Sequence, residues 1–273
     1  MEIKYIRGLW GMEQPSLKAN LETIKAGGFD GVEMGAPAER SNRQELRSLL
    51  ADIGLDLIVQ QWTGGNSPQE HARSFEEQYN RAVEMEPLFV NSQTGKDHYA
   101  AVQNLVVFER AAELEQSRGV RVMHEIHRGR ATFCTTASLA LIEALPAIQF
   151  TADLSHWCCV HESLLQDQAA SVERVLEHCH HIHARVGFAE GPQVNDPRAP
   201  EWREALETHI GWWQKIIAHR RQEGCPALTI CPEFGPPDYM PTQPFTRQPL
   251  ANLWEVNCYM KDLLKERLET GDR

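Results

Sequence analysis

Residues 120–153 read VRVMHEIHRGRATFCTTASLALIEALPAIQFTAD and contain a strand, a helix and a second strand. The apolar run Val120–Ile126 predicts the first strand, Thr136–Leu145 predicts the helix, and Ile148–Asp153 predicts the next strand. Strands that alternate with helices pair in parallel through right-handed crossovers. This stretch therefore predicts an α/β fold.

The same strand–helix unit recurs along the whole chain. The predicted strands are Ile3–Trp10, Phe29–Met34, Leu55–Gln60, Leu88–Ser92, Val120–Ile126, Ile148–Asp153, His180–Val186 and Leu228–Glu233. Eight units can close into a barrel, and a length of 273 residues suits such a barrel. Because the chain shows no linker or low-complexity tract, we predict a single (β/α)8 TIM barrel domain over residues 1–273.

The net charge and the cysteine content indicate which binding partners and which cellular compartment to expect. The net charge of −11 argues against nucleic acid, since such binders neutralise phosphates with basic surfaces. The seven cysteines include no CxxC pair, and no signal-peptide pattern opens the chain, so we expect a cytoplasmic protein with free thiols. No apolar run is long enough to cross a bilayer, and we expect no membrane partner.

Polar groups that can bind metal end the last four predicted strands. They are Glu125, Asp153, His183 and Glu233. In parallel barrels the active site lies at these carboxyl ends. Buried carboxylates that converge there repel one another unless a cation binds them. Taken singly, a helix-end, turn or core role explains each residue; together, their equivalent positions favour a metal site.

The identity of the four residues also constrains the metal. Side chains alternate across a strand, so His181 should lie one layer deeper than His183. Three carboxylates and one imidazole suit a fairly hard ion, and we expect one divalent cation. Manganese, magnesium or cobalt fits this set better than zinc, which would favour more histidine or cysteine.

At these residues the chain resembles the xylose isomerase-like family of metal-dependent sugar and sugar-phosphate isomerases and epimerases. Ketose 3-epimerases of the family bind one metal through the same Glu–Asp–His–Glu set. Their histidine three residues after the aspartate contacts substrate, so the resemblance gives His156 that role. Gly31-Val32-Glu33 also looks like a recurring family feature. The arginine differs, because Arg185 follows the metal histidine by only two residues.

The resemblance implies proton transfer next to a carbonyl, through an enediolate, with the metal acting as a Lewis acid. Glu125 and Glu233 would move the proton on opposite faces of a sugar or polyol substrate. The expected substrate-binding residues are His156, Arg185, His127, Arg128, Trp10 and Trp62. Arg128, Arg130 and Arg185 add positive charge that suits a carboxylate or phosphate, and Trp157 is a further candidate for the apolar wall.

Three other functions stay open at this point. A metal-dependent hydrolase and a polyol dehydratase use the same barrel, and a binding protein without activity would keep it as well. Retention of both Glu125 and Glu233 disfavours the last of these. The resemblance also implies a homo-oligomer, although no stripe in the sequence marks an interface.

Overall fold

A computed structural model describes residues 1–269 of the chain. Its strands pair in parallel in chain order, and β1 closes the barrel by pairing with β8. The strands are β1 (Glu2–Gly8), β2 (Gly31–Gly35), β3 (Asp56–Trp62), β4 (Val90–Gln93), β5 (Val122–Glu125), β6 (Phe150–Ala152), β7 (Cys179–His183) and β8 (Ala227–Cys231). The predicted (β/α)8 barrel is confirmed; residues 270–273 of the predicted domain lie outside the described residues.

Helices connect the strands. They are α1 (Leu17–Ala26), α2 (Arg40–Ile53), α3 (Pro68–Val83), α4 (Ala101–Arg118), α5 (Thr135–Ala144), α6 (Ser155–Val160), α7 (Ala169–Leu176), α8 (Arg203–Gln222) and α9 (Leu253–Glu269). Within residues 1–269, none of them combines the length and the apolar character needed to cross a membrane.

Capping residues set several helix ends. Ser16 and Ser67 accept backbone N–H groups at the starts of α1 and α3, and Pro68 occupies the first turn of α3. Gly54 and Gly119 end α2 and α4 in the left-handed conformation, each with φ of 75°. At both positions glycine adopts a positive φ without the steric cost that a Cβ atom would bring.

Apolar side chains pack on both faces of the sheet. On β1, Tyr5 belongs to the large cluster between strands and helices, whereas Ile6 belongs to a small cluster inside the barrel. The small cluster consists of Ile6, Ile58, Phe89, Met123 and Cys231. These side chains fill the barrel interior below the carboxyl ends of the strands, where the active sites of such barrels lie.

The observed elements differ from the prediction mainly after the strands end. The predicted seventh strand ran to Val186, but β7 ends at His183, and the buried residues beyond it form no ladder. Helix α6 was not predicted, because six residues are too few to show a helical period. A 3-10 turn over Pro200–Trp202 leads directly into α8.

Candidate metal centre and active site

The four predicted ligands come together at the carboxyl end of the barrel. Glu125 and His183 are the last residues of β5 and β7, Asp153 directly follows β6, and Glu233 lies two residues after β8. All four are buried, and one potential ligand atom from each lies within 4.8 Å of all the others. Strands far apart in sequence thus deliver a compact set of three carboxylates and one imidazole.

The His183 ring occupies the centre of this set. Its Nδ1 atom lies 2.9 Å from Oε2 of Glu233 and 3.8 Å from Oε1 of Glu125. Although both atoms are buried and face each other at 2.9 Å, neither Nδ1 of His183 nor Oε2 of Glu233 has a partner with hydrogen-bond geometry within residues 1–269. Donor atoms around one small divalent cation are about 3 Å apart, since each lies at roughly 2.1 Å from the ion. The orphaned atoms therefore fit a cation site.

The carboxylates and the imidazole shift one another's ionisation. Burial raises the pKa of Glu125 to about 8, and the carboxylates of Glu233 and Asp153 add to this rise. Burial also raises the pKa of Asp153. Burial alone would lower the pKa of His183, but the surrounding carboxylates, led by Glu233, raise it well above its usual range. The negative charge of the carboxylates is not fully compensated, and binding of a proton or a divalent cation would compensate it.

Arg185 supplies part of this charge. Its Nη2 atom bonds the carboxylate of Asp153 and lies 3.4 Å from Oε2 of Glu233. Its Nε donates to the Ser155 hydroxyl at 3.2 Å, and that hydroxyl in turn donates to Asp153. Nε2 of His156 accepts from Arg185 at 3.0 Å. Arg185 is therefore tied to the ligand set on one side and to His156 on the other.

A cavity of about 580 Å³ opens above the four ligands. Its lining includes Leu9, Trp10, Glu33, Met34, Gly35, Gln60, Trp62, Gln93, Glu125, His127, Arg185, Glu233 and Tyr239. Trp10 and Trp62 stand at the rim with 41% and 43% of their surface exposed. This size suits a small organic molecule, and the mixture of indole rings and polar groups suits one with both apolar faces and hydroxyls.

Four of the six predicted substrate-binding residues line this cavity, and two do not. Trp10, Trp62, His127 and Arg185 border it. His156 is fully buried behind His127, with their ring centres 3.9 Å apart. Arg128 is exposed, with its guanidinium 5.1 Å from the ring centre of Tyr239. Trp157 does not form a wall of the cavity: it is fully buried, and its Nε1 donates to the Thr132 carbonyl.

Tyr239 was missed by the sequence analysis. It lies in the segment between β8 and α9, which carries no periodic pattern. Its ring packs against Trp10 at 5.0 Å and lies under the guanidinium of Arg185 at 4.7 Å. Its hydroxyl lies 3.5 Å from Nε2 of His127. Burial, assisted by Arg185, lowers the pKa of His127 to about 3, so this ring is a neutral acceptor.

Three amides that hold Glu125 were also missed. Gln93 donates to Oε1 of Glu125 at 3.0 Å, while Asn91 and Gln60 donate to Oε2 at 3.2 Å and 3.5 Å. Asn91 is in turn oriented by the Thr151 hydroxyl, which donates to its Oδ1 at 2.8 Å. The sequence feature that could have identified two of these amides is a polar residue within an apolar strand, since Gln60 and Asn91 both lie in predicted strands.

Solved structures with this architecture perform different reactions. The 3-keto-D-glucoside 4-epimerase of E. coli matches with TM-score 0.65 and 12% identity, over 97% of this chain and 100% of that one. The probable 3-DHS dehydratase of Bacillus anthracis matches with TM-score 0.61 and 15% identity, over 95% and 98%. Endonuclease IV of Thermus thermophilus matches with TM-score 0.61 and 12% identity, over 98% and 100%. At these identities the likeness shows a shared fold.

Comparison of the sequence with family models identifies the family. No curated protein matches this chain. The family model described as xylose isomerase-like TIM barrel matches residues 21–200, which is more than half of the chain. The match includes three of the four predicted ligands, and it confirms the resemblance drawn from strand ends alone. The chain belongs to the xylose isomerase-like TIM barrel family.

Proposed function

We propose that this protein is a divalent-metal-dependent isomerase or epimerase of a sugar or sugar phosphate. The observation that carries the proposal is the convergence of Glu125, Asp153, His183 and Glu233 beneath a cavity of about 580 Å³. Three carboxylates and one imidazole would hold one ion, with manganese, magnesium or cobalt favoured over zinc. Such an ion, when bound, supplies Lewis-acid polarisation of a substrate carbonyl.

Glu125 and Glu233 are the proposed catalytic residues, because both border the cavity as well as the ligand set. One carboxylate removes a proton from the carbon next to the carbonyl, and the other delivers a proton to the opposite face, which gives epimerisation. Return of the proton to the neighbouring carbon by a single carboxylate gives isomerisation instead. The amide donors Gln93 and Asn91 fix the Glu125 carboxylate for this transfer.

The other cavity residues would orient the substrate. Trp10 and Trp62 offer their faces at the rim to apolar sides of a sugar. Arg185 borders the cavity, and its buried Nη1 atom has no hydrogen-bond partner among the residues that the structure describes, so it has a donor available for a substrate oxygen. His127 contacts the cavity directly, whereas His156 would act by supporting His127 and Arg185.

Hydrolysis is the second candidate. Glu125, His127 and His156 also bring ligand atoms within 4.8 Å of one another, beside the first set. Two neighbouring ions are typical of metal-dependent phosphoester hydrolysis. Dehydration of a polyol would begin with the same proton removal, so only its product separates it from epimerisation.

The proposal is tested by exchange with solvent hydrogen. The manganese-loaded protein is incubated in D₂O with a panel of ketoses and ketose phosphates, and the products are followed by NMR. We expect deuterium at the carbon next to the carbonyl, together with an epimer or an aldose. The Glu125→Gln and Glu233→Gln variants should lose this exchange, while Glu115→Gln, on α4, should retain it. Phosphoester cleavage would support hydrolysis, and a product that has lost water would support the dehydratase.

A further inference from the structure

Glu33, on β2, contacts Nε2 of His183, the ring nitrogen that faces away from Glu125 and Glu233. The sequence analysis assigned no role to Glu33. Its side chain is 2% exposed. Oε2 lies 3.0 Å from Nε2 of His183 and 3.2 Å from Nε2 of His181. Oε1 lies 3.2 Å from the same His183 nitrogen and accepts from Asn91 at 2.7 Å. Three nitrogen groups thus surround one carboxylate.

These contacts determine which nitrogen of His183 carries the proton. A carboxylate only accepts hydrogen bonds, so Nε2 of His183 carries a proton toward the two oxygens of Glu33. Nδ1 faces Glu233 and can carry a second proton in the metal-free protein, which a bound cation would displace. In the neutral ring, Nδ1 is then unprotonated. That is the atom 2.9 Å from Glu233 and 3.8 Å from Glu125, and a metal binds the unprotonated nitrogen of an imidazole.

We propose that Glu33 is the positioning residue of the metal centre, which fixes His183 with Nδ1 directed at the ion. Although Glu33 borders the cavity, its oxygens are occupied by His181, His183 and Asn91, so it holds these groups and does not bind the ion itself. The inference rests on the metal site of the proposed function and is independent of the reaction catalysed there.

Glu33→Gln tests this role with little disturbance of the fold. An amide oxygen in place of Oε1 still accepts from Asn91 and, at 3.2 Å, from His183. The amide nitrogen in place of Oε2 donates to Nε2 of His181 but no longer accepts from Nε2 of His183, which Oε2 faces at 3.0 Å. His181 can accept this change, because its Nδ1 lies 3.0 Å from the Thr229 carbonyl and 2.7 Å from the Thr229 hydroxyl. The Thr229 carbonyl accepts a hydrogen bond from a protonated Nδ1, and the Thr229 hydroxyl can donate one to an unprotonated Nδ1, so either tautomer of His181 is satisfied.

The dissociation constant of Mn²⁺ is measured by calorimetry for the wild type, Glu33→Gln and the control Glu115→Gln. The melting temperatures of the three metal-free proteins are measured as well. Mutation of an outer partner of a metal-binding histidine typically weakens metal affinity ~10- to 100-fold, and we expect this in Glu33→Gln alone, at an unchanged melting temperature. In ¹⁵N spectra of the Mg²⁺-saturated wild type, the His183 proton should be on Nε2.

The outcomes separate this inference from the proposed function. Mn²⁺ affinity in Glu33→Gln equal to that of the wild type, or a proton on Nδ1 of His183, would overturn the role of Glu33 and leave the metal centre standing. A wild-type protein that binds no Mn²⁺ would overturn the metal centre, and the role of Glu33 with it.

Discussion

Arg185 and Asp153 form a fully buried ion pair at the edge of the candidate metal centre. The pair has two consequences. It places a permanent positive charge beside three carboxylates, and it gives Asp153 a partner in the metal-free protein. A bound cation would partly replace that partner, so the stability of the fold and the occupancy of the site should be coupled through Arg185.

We predict that Arg185→Met destabilises the metal-free protein by roughly 3–5 kcal/mol, because Asp153 stays buried without its counter-ion. Saturating Mn²⁺ should recover part of this loss by neutralising Asp153. Urea unfolding with and without Mn²⁺ measures both effects. The exposed pair of Arg198 with Asp196 serves as control, and Arg198→Met should cost at most about 1 kcal/mol. Equal stability of Arg185→Met and wild type under both conditions would contradict the coupling.

Gly187 follows Arg185 by two residues and packs directly on the backbone of α6. A Cβ atom there would lie 2.6 Å from the carbonyl oxygen of Ser155. Gly187→Ala should therefore displace α6 and cost ~1–3 kcal/mol in unfolding free energy. Gly211, in the middle of α8 with open space around it, is the matched control. Gly211→Ala should gain roughly 0.5–1 kcal/mol; a loss as large as that of Gly187→Ala would refute the steric argument.

Acid should destabilise the protein through His209. Its Nδ1 donates to the Ala205 carbonyl at 2.8 Å, and its Nε2 accepts from the backbone N–H of Gly187 at 3.3 Å. Burial lowers the pKa of His209 to about 4. The unfolded chain binds this proton near pH 6.5 and the folded chain only near pH 4, so stability contributed by His209 is lost as the pH falls through that window.

The expected loss is roughly 3 kcal/mol, at about 1.4 kcal/mol for each pH step between the two pKa values. Urea unfolding at pH 7, 6, 5 and 4 measures it. His209→Gln should show a shallower slope than wild type, whereas His98→Gln, at a side chain 67% exposed, should keep the wild-type slope. A slope unchanged by His209→Gln would show that the proton uptake lies elsewhere.

The repeated alternation of strand and helix predicted the barrel. Each of the last four β-type runs carried a carboxylate or an imidazole near its carboxyl end, and parallel strands bring such ends to one edge, which predicted the ligand set. The family match confirms the fold. The layer order of His181 and His183 also followed from alternation along β7: the two rings lie 5.0 Å apart, and His181 contacts Phe89 in the interior cluster.

Contacts that cross the barrel could not be predicted from local patterns. Glu33 meets His183 across 150 residues of sequence, and no spacing rule links β2 to β7. Tyr239 reaches the cavity from a segment without periodicity, so only the fold places it beside Arg185. The Asp-x-x-His spacing placed His156 near the site, but the short helix α6 positions its ring behind His127, away from the cavity.

The central claim is that Glu125, Asp153, His183 and Glu233 hold one divalent cation. Elemental analysis of metal per chain tests it most directly, for the wild type, Asp153→Asn, Glu233→Gln and the control Asp196→Asn. We predict about one manganese, magnesium or cobalt ion in the wild type and the control, and loss of that ion in the other two variants. A wild type that takes up no metal under any loading condition would contradict the claim, and two or three zinc ions would favour the hydrolase.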